Sequence, residues 1–554
     1  EANVIKRDYP VMVMIGNPPY SISSQNKGEW INKLLEDYKK NLNERNIQPL
    51  SDDYIKFMRL GQYYVEKNNS GILAFISNNG FIDGVIHRQI RKELLRAFDK
   101  IYILDLHGNS RKKETAPDGS KDENVFDIMQ GVSINIFVKT TTKERTSAEV
   151  YHYDLYGSRD DKYHFLNENY LNTVAWKQLE PQTPQFFFVP KDFASQEEYD
   201  KGFAVKDLFC ICNAGSKTER DSLNIHFTDE ERLSVLKDFK ELSINELVEK
   251  YHTKDSRDWQ VMLAQKDLQT NPIIATKISY RPLDIRYINY TGKTKGIMGY
   301  PRFDIMCHMI HPNISMCLVR NNRRYEETYF ISNGISDKSY ISSNDDITVF
   351  PLYAYKENMG EEERIVNFNK DIYEKIAKGL NYLPCYDDNM LIDPTSEYNG
   401  VLYPQDLFDY IYAVLHSPSY RERYKEFLKI DFPRIPYPTD WEKFRDLVEK
   451  GEELRHLHLM EDLPHSTDVS FPVGGTLQVD CYRWEENHVY INSEQYFDGV
   501  PESAWNFFIG GYQPAQKWLK DRKGITLSFE DVKHYQRIIY VLQQTERIMS
   551  EIDK

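Results

Sequence analysis

Along the first 140 residues, apolar positions gather in short runs separated by segments with helical spacing. VMVMI (Val11 to Ile15) and GILAFIS (Gly71 to Ser77) are unbroken apolar runs ending in turn residues, the pattern of strands buried on both faces. KIYILDLHG, from Lys100, and VSINIFVK (Val132 to Lys139) supply a third and a fourth strand. Between them Trp30, Leu34, Tyr38 and Leu42 recur at helical spacing, and a charged helix fits around Arg88 to Phe98. Strand and helix alternate, which predicts a parallel α/β sheet. The polar stretch Thr140 to Ser147 marks its end.

Beyond it the regularity goes. Residues 148–430 mix short aromatic-rich strands, Asn, Gly and Pro turns and isolated helices such as Asp229 to Tyr251, which predicts an irregular α+β region; 431–554 form a further part. The last helix is plain: Ser528 and Asp531 make a capping-box start, and Val532, Tyr535, Ile539, Leu542, Met549 and Ile552 line one stripe. That stripe is either a docking face within the chain or a partner interface. At 554 residues the chain is too long for one ordinary core. With 70 basic against 85 acidic residues the net charge is −15, which excludes a generally cationic nucleic-acid coat and leaves room for a local basic face. Mean hydropathy is −0.63, no run approaches a membrane span, and the first residues lack a signal segment. Six scattered cysteines support neither a disulfide framework nor a four-ligand zinc site. The expectation is a soluble cytoplasmic protein with no metal site.

The sharpest signal is Asn17, Pro18, Pro19 and Tyr20, directly after the first strand. A chance NPPY in a chain of this length has a probability on the order of a few in a thousand. Ligands in open α/β sheets bind at the carboxyl ends of strands, where this tetrad would project. An exocyclic amine such as adenine N6 is a poor nucleophile while its lone pair is conjugated with the ring. Asn17 Oδ1 and the Pro18 carbonyl can accept its two hydrogens, and two prolines keep the loop rigid. Tyr20 offers a flat face for a base withdrawn from the duplex. A proline turn closing a strand is the plain alternative.

NPPY, followed in order by GILAFISNNGF and NVFDIMQGVSINIFVK, resembles the second half of the catalytic domain of γ-class N6-adenine DNA methyltransferases. YRPLDIRYINYTGK (Tyr280 to Lys293), YIYAVLHSPSYRERY, DFPRIPYP and IGGYQPAQKWLKDRKG resemble the specificity region of type ISP restriction-modification enzymes. The resemblance implies a partial Rossmann-like methyltransferase sheet over 1–147, a target-recognition region over 148–430 and a carboxyl-terminal specificity part over 431–554. It implies that Asn17 and Pro18 bind the target amine, that Tyr20 stacks on the flipped adenine and that Phe126 packs its other side. Taken alone, Phe126 could equally be a core aromatic. In that family the S-adenosylmethionine loop precedes NPPY, so the main cofactor motif is expected upstream. FPVGG (Phe471 to Gly475) and FIGGY (Phe508 to Tyr512) do not make one, because neither ends a strand and continues through a third glycine into a helix. TGKT at Thr291 fails as a phosphate loop for want of its first glycine. The family's helicase and nuclease domains are likewise expected upstream.

Residues 275–325 hold nine Lys or Arg against two Asp, interleaved with tyrosines, a composition suited to DNA phosphates and also to a plain solvated surface. Lys293, Lys295, Arg302 and the strip Arg320, Asn321, Asn322, Arg323, Arg324 are the candidate DNA contacts, since Arg pairs with guanine and Asn with adenine in the major groove. The expected function is site-specific adenine-N6 methylation of double-stranded DNA. Two alternatives remain: a DNA-binding specificity module inactive alone, or a protein-glutamine methyltransferase, which the 400 residues after the catalytic half do not suit.

Overall fold

The four apolar runs become strands of one six-stranded sheet. β1 (Val13–Gly16), β2 (Gly71–Asn78), β3 (Lys100–Asp105) and β4 (Val132–Lys139) are joined by β5 (Glu149–Asp154) and β6 (Lys177–Leu179), in the order β1-β2-β4-β3-β5-β6. The computed structural model describes residues 10–554 except 21–23, 43, 45, 111–113, 141–146, 323–327, 359–360, 387–397 and 465–466, and except the side chains at 357, 358, 361 and 362.

The sheet is mixed, not parallel throughout. β1 pairs parallel with β2 and β3 with β5, whereas β4 runs antiparallel to both of its neighbours, β2 and β3. The connection 106–131 contains no α-helix among its described residues, and the chain re-enters the sheet reversed instead of crossing over. Helices α1 (Glu29–Lys39), α2 (Asp53–Asn68) and α3 (Arg88–Ala97) cover one face, packing Leu35, Tyr38, Met58 and Leu94 on Leu73, Phe75, Ile103 and Phe137. The buried stripe of α1 is Ile31, Leu35 and Tyr38; Trp30, expected on that stripe, is exposed. The other face carries a smaller cluster, Leu104, Leu106, Val125, Val132 and Leu155. Helix α4 (Arg159–Glu168) follows β5.

The chain divides into two compact units, Glu1–Asp192 and Phe193–Lys554. The first runs past the boundary expected at Ser147, because β5 completes the sheet beyond it. No second boundary falls at 430/431: one apolar core runs from Tyr199 to Ile552. In this second unit β7 (Asn213–Ala214), β10 (Ser315–Val319), β11 (Tyr329–Ser332) and β12 (Ile347–Pro351) form an antiparallel sheet, and β8 (Ala275–Arg281) pairs with β9 (Asp284–Tyr290) as a hairpin. The helix expected over Asp229 to Tyr251 is two, α5 (Asp229–Glu241) and α6 (Ile244–Tyr251), because Ser243 and Glu246 form a capping box that starts the second. Among the other elements of the unit are helices α7 (Pro404–His416), α8 (Trp441–His458), α9 (Pro514–Asp521) and α10 (Phe529–Ile552). The capping box of α10 forms as expected, and Val532, Tyr535, Ile539, Leu542 and Ile552 are buried, with Ile548 in place of Met549. Its stripe is a docking face within the chain, with Tyr535 against Trp518 of α9 and Thr545 against His458 of α8.

Candidate catalytic loop and nucleic-acid interface

β1 is short and ends in Gly16, whose register partner is Phe75 of β2. The tetrad therefore leaves the sheet at its carboxyl edge. Asn17 and Pro19 are exposed, Pro18 is buried and Tyr20 is half-buried. The Tyr20 hydroxyl donates to Asn17 Oδ1 at 3.0 Å and lies 3.5 Å from the Ile76 carbonyl. Burial pushes the Tyr20 phenol up to about 12, so it stays a donor at neutral pH. Its ring meets Tyr54 edge-on at 6.4 Å. The single oxygen of the Asn17 amide is thus oriented by the fold, and a carbonyl-type oxygen has two lone pairs.

Phe126 sits on the connection between β3 and β4, half-buried against the cluster of Leu104, Leu106 and Val125 on which Tyr20 also packs. Its loop is tied from three sides. Asn124 accepts the Phe126 N–H at 2.8 Å and donates to the carbonyls of Gly108 (3.0 Å) and Gln130 (2.7 Å). Arg159 donates to the carbonyls of Asn124 (2.8 Å) and Phe126 (3.1 Å). Lys162 of α4, fully buried, donates to the carbonyls of Leu106 (2.7 Å) and Glu123 (2.6 Å) and pairs with Asp122 at 2.8 Å. Asp122 in turn accepts the N–H groups of Gly108 (2.6 Å) and Gly157 (2.9 Å). A groove of about 620 Å³ runs past Asn124, Phe126, Met129 and Arg159. A cavity of about 550 Å³ opens beside Pro19, lined by Trp30, Asp53, Lys56, Phe57 and Leu60.

The basic window of the second unit is less uniform than its composition. Lys293 and Lys295 are exposed, Lys295 with a left-handed backbone (φ 57°). The Arg302 guanidinium lies 5.6 Å from the Tyr300 ring. Arg281 and Arg286, by contrast, turn inward: Arg281 pairs with Asp337 at 2.8 Å, and Arg286 with Asp284 (2.8 Å) and Asp521 (2.7 Å). Burial alone would raise the Asp284 carboxyl, but Arg522 and Arg286 hold it below the usual carboxylate range. In the strip, Arg320 pairs with Asp431 at 2.8 Å. Asn321 is half-buried. The backbone N–H of Asn322 donates to the Leu428 carbonyl (2.8 Å), and its side-chain amide donates to Tyr329 Oη (2.7 Å) and accepts from the Thr328 hydroxyl. Reading a base with Asn322 would require breaking these bonds. Arg323 and Arg324 lie outside the described residues.

The type ISP C-terminal specificity domain model matches residues 207–551, more than half of the chain. The chain belongs to the type ISP restriction-modification family. Residues 12–111, which carry the tetrad, match the Eco57I restriction-modification methylase model. This type ISP chain is similar in fold to the ATP-dependent type ISP restriction-modification enzyme LlaBIII bound to DNA, with TM-score 0.75 and 20% identity over 99% of this chain and 37% of that one. The DrdV–DNA complex gives TM-score 0.74 and 20% identity over 98% and 57% of the two chains. A nuclease-deletion mutant of the type ISP enzyme LlaGI with a DNA substrate mimic gives 0.70 and 20% over 98% and 44%. The chain therefore spans between about a third and three-fifths of these neighbours. No curated protein matches. No helix among the described residues is long and apolar enough to cross a membrane.

Two features of the type ISP chain escape a sequence reading. The Asp122–Lys162 pair joins residues on either side of the polar stretch at 140–147, and Lys162 reads there as one more surface charge. A group of Asp105, His107 and Asp154 gathers at the carboxyl ends of β3 and β5, where only the strand register brings the aspartates together.

Proposed function

We propose that the chain carries the catalytic tetrad and target-recognition part of a site-specific adenine-N6 DNA methyltransferase that flips its target base. The observation that carries this reading is the bond from the Tyr20 hydroxyl to Asn17 Oδ1, which fixes the amide at the carboxyl edge of the sheet. Asn17 Oδ1 and the Pro18 carbonyl accept the two hydrogens of the target amine and draw its lone pair out of conjugation with the ring. Tyr20 and Phe126, packed on one cluster, hold the flipped base by its faces. S-adenosylmethionine, when bound, supplies the electrophilic methyl group. The residues present fit it in part: the cavity beside Pro19 offers the aromatic faces of Trp30 and Phe57 and the Asp53 carboxylate, and the main cofactor motif is assigned to the longer polypeptide. That polypeptide would also hold the helicase and nuclease, and double-stranded DNA is the partner of the second unit, through Lys293, Lys295, Arg302 and members of the strip from Arg320.

A second reading, a specificity module that binds DNA and is inactive alone, is favoured by that partial fit. Calorimetry of this chain with S-adenosylmethionine separates the two, since binding supports a working half-site and its absence supports the module. In the complete enzyme, Asn17→Ala should abolish methylation and leave DNA binding intact. Methylation within about tenfold of the parent, less than about 1.4 kcal/mol of barrier, overturns the assignment of Asn17.

A further inference from the structure

At the carboxyl end of the sheet, Asp105 of β3 stands in register with Asp154 of β5, and His107 follows two residues after Asp105. His107 Nε2 is 2.9 Å from Asp154 Oδ1, its Nδ1 is 3.0 Å from Glu114 Oε1 and 3.7 Å from Asp105 Oδ2, and its ring lies flat on Tyr156 at 3.9 Å. One residue pair further down β5, His152 is 1% exposed and neither of its ring nitrogens makes a hydrogen bond. Its Nδ1 points at the other oxygen of Asp154, 3.6 Å away. A buried imidazole with both nitrogens unbonded is costly, and here it faces the carboxylate of Asp154. Asp154 itself is 39% exposed in its side chain, which leaves an entry path from solvent.

We infer that Asp105, His107, His152 and Asp154 form a binding site for one divalent transition-metal ion, with Glu114 as the outer partner of His107. The separation of His107 and Asp154 suits it. Two donors each about 2.0–2.1 Å from a metal at tetrahedral or octahedral angles stand roughly 3 Å apart, which is the His107 to Asp154 separation. A carboxylate on the far nitrogen of a ligating histidine, the place of Glu114, fixes its tautomer and raises its basicity. Two imidazoles with two carboxylates are a donor set for zinc, cobalt or nickel, not for calcium or magnesium. The ion would bind His107 through Nε2, with Nδ1 kept on Glu114. The ion would clamp the ends of β3 and β5 directly before the loop that carries Phe126.

The test uses the full chain without a histidine tag, stripped with chelator and titrated with Co²⁺ and then Zn²⁺. The expected result is one equivalent of Co²⁺ with visible d–d absorption, displaced by Zn²⁺. Asp154→Asn, at the exposed ligand, and His152→Leu, which fills its space with an apolar side chain, should each weaken binding at least tenfold while the circular dichroism spectrum stays that of the parent. Absence of a stoichiometric Co²⁺ spectrum in the parent, or unchanged affinity in both variants, overturns the site. If one variant fails to fold, the other decides.

Discussion

Replacing Lys162 by Met keeps the aliphatic stem and removes the charge from a position with no solvent exposure. Three interactions go at once: the pair with Asp122 and the bonds to the carbonyls of Leu106 and Glu123. Breaking one side of a buried ion pair costs about 3–5 kcal/mol, because the remaining charge has lost its counter-ion. Asp122 keeps the N–H groups of Gly108 and Gly157, which places the expectation near the lower end, about 3 kcal/mol. For a unit of this size that is about 6–12 °C in Tm, at roughly 2–4 °C per kcal/mol. The loss should be local as well as global, since Lys162 ties helix α4 to the connection bearing Phe126. Amide exchange over residues 106–131 should accelerate more than in the strands, and a fluorescent base analogue at the target should flip less completely. Adding Asp122→Asn to Lys162→Met removes the stranded charge while keeping an acceptor, so the double variant should regain part of the lost stability. If Lys162→Met melts within about 1 kcal/mol of the parent and exchange in the loop is unchanged, the network does not hold the loop and the reasoning fails.

Three further outcomes follow from other parts of the molecule. Phe126→Ala should weaken trapping of a flipped base by about 1–3 kcal/mol, and equal flipping of a fluorescent analogue would return Phe126 to the core. Gly451→Ala should destabilise the second unit although Ala favours helix by about 1 kcal/mol, because the added Cβ would lie 1.9 Å from the Asp409 carbonyl where α7 and α8 cross; a raised Tm would refute the crossing. His416 is buried and held down to about 4 by that burial, so its folded pKa lies below its unfolded one. The unfolded chain then binds the extra proton, and stability is lost as pH falls from about 6.5 towards 4, at up to about 1.4 kcal/mol per pH unit. His416→Gln, which can still donate to the Tyr412 carbonyl, should flatten that slope by one proton in denaturant titrations at several pH values. Parallel slopes would exclude His416 as a source of the acid sensitivity.

What the sequence made legible depended on whether the signal was local. Strand β2 and the capping box at Ser528 and Asp531 were readable because an unbroken apolar run and an i, i+3 polar pair are local patterns. The tetrad was readable for the same reason, four contiguous residues after an apolar run. The direction of β4 was not, since VSINIFVK has the same composition whichever way it enters the sheet. The boundary after Ser147 failed because a polar loop can interrupt a sheet as well as end it; only pairing of β5 with β3 shows which. In the basic window, Arg286 counts in one dimension simply towards the excess of positive charge. The carboxylates that claim it, Asp284 and Asp521, include one more than two hundred residues away.

The reversed strand has a consequence for how the molecule comes together. β2 and β3 share no hydrogen bonds; each is joined to the other only through β4. The two strands therefore cannot be bridged until the chain beyond residue 131 has been made and inserted, and the buried Asn135 amide checks the fit, donating to the Phe75 carbonyl (3.3 Å) and to Ser77 Oγ (3.0 Å). A slip of one residue would turn that amide to the opposite face and leave its partners unbonded. The segment bearing Phe126 enters the sheet as β4, so one side of the proposed base pocket is built in the same late step that closes the sheet. An intermediate lacking β4 would display the tetrad on β1 and β2 but have no opposing wall, and so would hold no base.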